Sequence, residues 1–119
     1  MPMFVNFSNH PSDQWEEKQL KEARKYGEVE DFPFPMVSPE MSASDVNRLA
    51  DEYADKILKK YGTSATIHVM GEMTFTHAVV SRLKAQGTRC LASTTERNAQ
   101  MILDGQKLSE FRFVQFREY

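Results

Sequence analysis

Near the amino terminus stands VNFSNHPSDQW, Val5 to Trp15, where Ser8, Asn9 and His10 crowd together just before a proline. An imidazole can take or give a proton near neutral pH, and small hydroxyl and amide groups beside it can hold a polar ligand. A plain turn needs only one or two such residues, so the stretch is either a site or an over-furnished turn. Two more segments share its character. MGEMTFTHAVV sets Gly71, Glu72 and Thr74 where an apolar run passes into a helical pattern. Free N–H groups at a helix start favour an anion, while Glu72 suits a ribose hydroxyl or an exocyclic amine better than a bare phosphate. ASTTERN offers Thr94 and Thr95 and, in Arg97, a planar fork that matches phosphate oxygens two at a time. Each segment has a plainer alternative: a satisfied structural histidine at His10, a glycine turn with Thr74 as N-cap, and a surface Glu96–Arg97 pair on an irregular loop.

Other chemistries find little footing. His68 alternates inside an apolar run and reads as packed or at an edge, and His77 falls in the first turns of a helix. No histidine and carboxylate pair has metal-ligand spacing, so no metal and no cofactor is expected. Ser8 lacks a G-x-S-x-G context, and neither a dinucleotide fingerprint nor a phosphate-binding loop of the G-x-x-x-x-G-K type is present. Cys90, the single cysteine, lies in TRCLAS and reads as a small hydrophobe in a buried strand; one thiol forms no internal disulfide and fits a reducing cytoplasm.

The elements that must position these groups alternate along the chain. MFVNF (3–7) is a short strand. A helix follows, capped by Ser12 or Asp13, with Trp15, Leu20, Ala23 and Tyr26 on one stripe and Gly27 at its end. EVEDF (28–32) is a weak strand that stops at the proline-rich PFPMVSP. Ser42 and Asp45 suit a capping box for a helix whose Val46, Leu49, Ala50, Tyr53, Ile57 and Tyr61 recur at helical spacing. ATIHVM (65–70) is a strand, a third helix ends at Gly87, and RCLAS (89–93) is a fourth strand, after which TTERN breaks the pattern as a loop. AQMIL and LSEFRFVQF, joined by Asp104-Gly105, form a hairpin. The order β-α-β-α-β-α-β plus hairpin predicts a single α/β domain over 1–119, three-layered and Rossmann-like, with a mostly parallel sheet. Ligands of such sheets bind beyond the carboxyl ends of the strands, where the three polar segments would converge.

The 119 residues, 40% hydrophobic and 27% charged, are those of an ordinary globular domain. A net charge of −2 argues against a protein that holds long nucleic acid but not against a local anion site. Neither a signal peptide nor a membrane-spanning run is visible, so a cytoplasmic protein is expected.

On FVNFSNHP, GEMTFTHAVV, CLASTTER and the closing FRFVQFREY, the chain resembles the small Rossmann-like (CARF-type) proteins of type III CRISPR antiviral systems, in particular stand-alone ring nucleases. The resemblance implies a homodimer that binds cyclic oligoadenylate. It also implies metal-independent cleavage, in which a ribose 2′-hydroxyl attacks its adjacent phosphorus and leaves a 2′,3′-cyclic phosphate. Carried over, Ser8, Asn9 and His10 match the first-strand loop, Gly71, Glu72 and Thr74 the loop at the helix start, and Thr94, Thr95 and Arg97 the loop after the next strand. His10 would be general acid or base and Arg97 the phosphate stabiliser. No lysine falls in these segments, which weakens fast cleavage more than binding. Without room for an effector domain, a degrader or sponge of the signal is expected over a transmitter. The alternatives are a non-catalytic sensor or sponge and a small nucleoside- or nucleotide-processing enzyme using Glu72.

Overall fold

The computed structural model describes residues 2–101 and 107–119, with side chains over 2–97 and 111–119. Strand β1 (Met3–Ser8) is buried at every position after Met3. A 3-10 turn over Ser12–Gln14 follows, and Trp15 then returns to extended backbone with φ −75° and ψ 148°. Helix α1 (Glu17–Arg24) therefore starts from Glu16, not from Ser12 or Asp13. The cause is tertiary. The Ser12 N–H is drawn to the Asp31 carboxylate at 3.2 Å, and the Trp15 ring settles edge-on against Phe4 with centroids 6.1 Å apart. Strand β2 (Glu28–Asp31) is short, as its proline-rich exit requires. Helix α2 (Ala43–Tyr61) carries the expected capping box: Ser42 accepts from the Asp45 N–H and Asp45 accepts from the Ser42 N–H. Strand β3 (Thr66–Met70) and helix α3 (Met73–Ala85) complete the third unit.

Strands β4 (Arg89–Met101) and β5 (Lys107–Glu118) correct the reading of TTERN as a loop. The fourth strand does not stop at Ser93. It continues through Thr94, Thr95 and Arg97, paired antiparallel to β5 out to Met101↔Lys107. Polar residues made the stretch resemble a loop, yet threonine is β-branched and no glycine or proline interrupts the ladder. One bulge falls between Thr94 and Thr95, and there the Thr94 hydroxyl accepts from the Gln115 N–H at 3.2 Å and donates to the Gln115 carbonyl at 3.1 Å. The expected Asp104-Gly105 turn lies outside the described residues.

The sheet order is β2-β1-β3-β4-β5, parallel throughout except for β5. This is a three-layer α/β sheet of Rossmann-like type. Its strand order reverses direction at β1 and β3, where the chain leaves β1 for one side of the sheet and β3 for the other. Val5, Phe7, Ile67, Val69 and Cys90 pack with Val46, Ala50, Ile57, Phe75, Val79 and Leu83 of α2 and α3. The opposite face gathers Phe4, Ala23 and Leu91, joined by Trp15, Tyr26 and Phe116. Cys90, 1% exposed, is part of the first core, and burial pushes its thiol up to about 11. Among the described residues no helix is long and apolar enough to cross a membrane.

Candidate functional site

Helix α1 has only 8 residues, about 12 Å of cover, against the roughly 20 Å run of β1 beneath it. It reaches Phe4 and leaves the carboxyl half of that face open. The result is a cleft of about 580 Å³ lined by His10, Gln14, Trp15, Glu16 and Gln19 from the β1–α1 side. From the sheet it is lined by His68, Met70, Ser93, Thr95, Phe111 and Phe113. Glu16 ties the two walls together, its carboxylate accepting from the Phe113 N–H at 2.9 Å. A depression of about 610 Å³ at the other end of the sheet, lined by Pro2, Ser64, Gly87 and Arg89, sits at the amino ends of the strands. Ligands of open α/β sheets bind at carboxyl ends, so the His10–Trp15 cleft is the candidate site.

Three adjacent strands place a polar row that reaches this cleft at His68. The register sets Asp31 beside Asn6 and Asn6 beside His68. Asn6 is 1% exposed and every polar atom of its amide is used. Its Nδ2 donates to the His10 carbonyl at 2.8 Å and to Asp31 Oδ1 at 3.0 Å, both of which can only accept. Oδ1 is thereby fixed as the atom facing the Ser8 hydroxyl at 2.7 Å and His68 Nδ1 at 2.9 Å. An amide oxygen cannot donate, so His68 Nδ1 carries the proton and Nε2 carries the lone pair. His68 is 2% exposed among the rings of Phe4, Trp15 and Phe116, and Nε2 has no partner. Burial, reinforced by the charge of His10, pushes the His68 imidazole down to about 4. It is neutral through the physiological range.

The His10 carbonyl is the knot of the preceding turn, accepting also from Ser8 Oγ at 3.1 Å and Trp15 Nε1 at 3.2 Å. The turn is thus held through its backbone, leaving the exposed His10 ring at the mouth of the cleft. Among the described residues no group of three His, Cys, Asp or Glu is gathered as a metal ion would require.

A family model matches residues 2–117, which takes in every residue of the cleft. The chain belongs to the Uncharacterized protein MJ1673 family. No curated protein and no solved structure matches it.

In this MJ1673 family member, His10 and Thr95 are the two sequence-predicted site residues that line the cleft. Ser8 and Asn9 line a separate hollow with Asn6, Asp31, Phe32 and Phe34, and Ser8 serves the Asn6 network. Gly71 is glycine for a packing reason: a Cβ there would lie 2.3 Å from the Phe34 ring. Glu72, not Thr74, is the N-cap of α3, accepting from the Phe75 N–H at 3.0 Å and from the Thr74 hydroxyl. Those bonds, led by the Thr74 hydroxyl, hold its carboxyl below the usual range. Gly71 belongs to a separate apolar hollow with Met73, His77 and Tyr119. Thr94 is spent on the bulge, and Arg97 stands farther out on β4, its guanidinium 6.0 Å from the Phe111 ring centre. The residue that single-chain reading underweighted is His68. Its period-2 spacing with Thr66 and Met70 put it on one face, but only the Asn6↔His68 register reveals that the face is polar there.

Proposed function

We propose that this protein binds cyclic oligoadenylate in the His10–Trp15 cleft, as a homodimer, and cleaves it slowly by attack of a ribose 2′-hydroxyl on the adjacent phosphorus. The observation that carries this reading is the make-up of the lining. Trp15, Phe111 and Phe113 supply rings, Gln14, Gln19, Ser93 and Thr95 supply donors and acceptors, and His10 stands at the mouth. Bases of unpaired nucleotides stack on aromatic side chains, and amide side chains read an adenine edge in pairs of bonds. Protonated His10 would give the leaving 5′-oxygen its proton. A cleft of about 580 Å³ suits part of a ring rather than all of it, so two copies across a two-fold would share one ligand. Phe111, 62% exposed on β5, is available to that arrangement.

A second reading, a sensor or sponge that holds the ring without cutting it, is favoured by one observation: among the described residues that line the cleft, none is lysine or arginine. The Glu72 reading loses ground because its carboxylate is engaged at the start of α3. Incubating enzyme in excess over cyclic tri-, tetra- or hexaadenylate, with EDTA present, separates these. Linear products ending in 2′,3′-cyclic phosphate are expected. A ring that binds and survives supports the sponge, and a ring that neither binds nor is cut overturns the proposal. His10→Ala is expected to lower turnover more than binding, and Arg97→Ala, outside the cleft lining, to change either only weakly.

A further inference from the structure

We infer that His68 is the base of this cleft and that Asn6 is the residue that positions it, a deepening that rests on the function proposed above. The geometry points there because Asn6 Oδ1 holds the Nδ1 proton at 2.9 Å and leaves Nε2 buried and without a partner on a residue that lines the cleft. A buried acceptor without a partner costs about 1–3 kcal/mol, which a leucine or phenylalanine in this aromatic setting would avoid. An imidazole kept there is neutral and in one tautomer, its lone pair fixed on Nε2; burial weakens it as a base, so its contribution is position rather than basicity. Trp15 and Phe116 pack with ring centres 5.3 and 5.4 Å from the imidazole and Nε2 is buried, so the Trp15 ring must move aside for a substrate hydroxyl to reach it.

The step balances. Nε2 of His68 takes the 2′-hydroxyl proton as the 2′-oxygen bonds to phosphorus. The bond from phosphorus to the 5′-oxygen breaks, and that oxygen takes a proton from protonated His10. The products are a 2′,3′-cyclic phosphate and a 5′-hydroxyl, and both imidazoles return to their starting forms by exchange with water. The titratable groups facing His68 are His10 from the β1–α1 turn, Glu16 from the start of α1, and Asp31, through Asn6, from β2. Among the described residues of β4 and β5, those facing it are uncharged: Ser93, Thr95, Phe113 and Phe116.

The chain has one tryptophan, Trp15, so its fluorescence reports binding independently of cleavage. His68→Gln is expected to bind the ring within a few-fold of wild type by this signal. Its single-turnover cleavage is expected to fall about 10²- to 10⁴-fold, the usual worth of a positioned proton acceptor. Asn6→Asp, which sets a carboxylate against Nδ1, is expected to move the acidic limb of the cleavage profile upward in pH. Should that variant fail to fold, the imidazole nitrogen shifts of the wild type at pH 7 decide. A protonated Nδ1 with a bare Nε2 supports the assignment, and the reverse tautomer overturns it. Cleavage by His68→Gln at the wild-type rate overturns the base and leaves the proposed function standing. A wild type that binds the ring without cutting it overturns the base and keeps only binding. A wild type that binds no ring overturns both.

Discussion

On one face of the sheet, Val5, Phe7, Ile67 and Val69 meet two helices of 19 and 13 residues and are fully buried. On the other, Phe4, Asn6 and His68 are buried beneath one helix of 8 residues and the Trp15 turn, and a cleft lies beside His68. Because alternate residues of a strand point to opposite faces, a single short segment, Phe4–Phe7, contributes to both. The sealed face is uniformly apolar and needs no partner. The second face carries an amide and an imidazole in adjacent registers, and their hydrogen bonds leave His68 Nε2 without a partner. The apolar packing is concentrated on the first face and the polar network on the second.

The largest test of that division is Phe7→Ala. Phe7 is 0% exposed and contacts the rings of Phe32, Phe34, Tyr53 and Phe75. Its loss should remove about 3–5 kcal/mol from urea-induced unfolding, a large part of the stability of a domain this size. The second face should announce itself through pH. His68 sits near 4 in the fold against 6.5 when unfolded, so the unfolded chain takes up the proton first as pH falls. Acid between about pH 6.5 and 4 should therefore destabilise the protein by about 3 kcal/mol, and His68→Gln should flatten that window. If the variant loses stability with pH as steeply as wild type, His68 is not the group responsible. Next comes Gly71→Ala, whose methyl collides with the Phe34 ring and should cost about 1–3 kcal/mol in thermal unfolding. Smallest is Ser42→Ala, which opens the capping box of α2 for about 1 kcal/mol. The last two act on the sealed face only. At a temperature where both remain folded, they should leave Trp15 fluorescence and any cleavage unchanged.

The same division explains what a single sequence could disclose. The order of elements as far as the start of β4, the capping box at Ser42 and Asp45, and burial of Cys90 follow from local periodicity and local hydrogen bonds, and all are present in the fold. His10 could be singled out because its turn is crowded with polar groups. His68 could not, since ATIHVM looks like any buried strand until β1 is laid beside it with Asn6 opposite. Thr94, Thr95 and Arg97 misled for the converse reason. A polar composition resembles a loop when the partner strand that satisfies its backbone lies 14 or more positions away, as Phe111 does from Arg97, Phe113 from Thr95 and Gln115 from Thr94. Trp15 delayed α1 through a contact with Phe4 that no helix-start rule contains.

The Asn6 amide has a consequence for how this family can vary. One side chain serves Ser8, His68, Asp31 and the His10 carbonyl, each with the correct donor or acceptor. Aspartate there would set a carboxylate against Asp31, and glutamine would overrun the spacing between neighbouring strands. Position 6 therefore cannot drift alone. In a family alignment it should change only together with positions 31 and 68, so that asparagine, aspartate and histidine are inherited as one unit or lost as one.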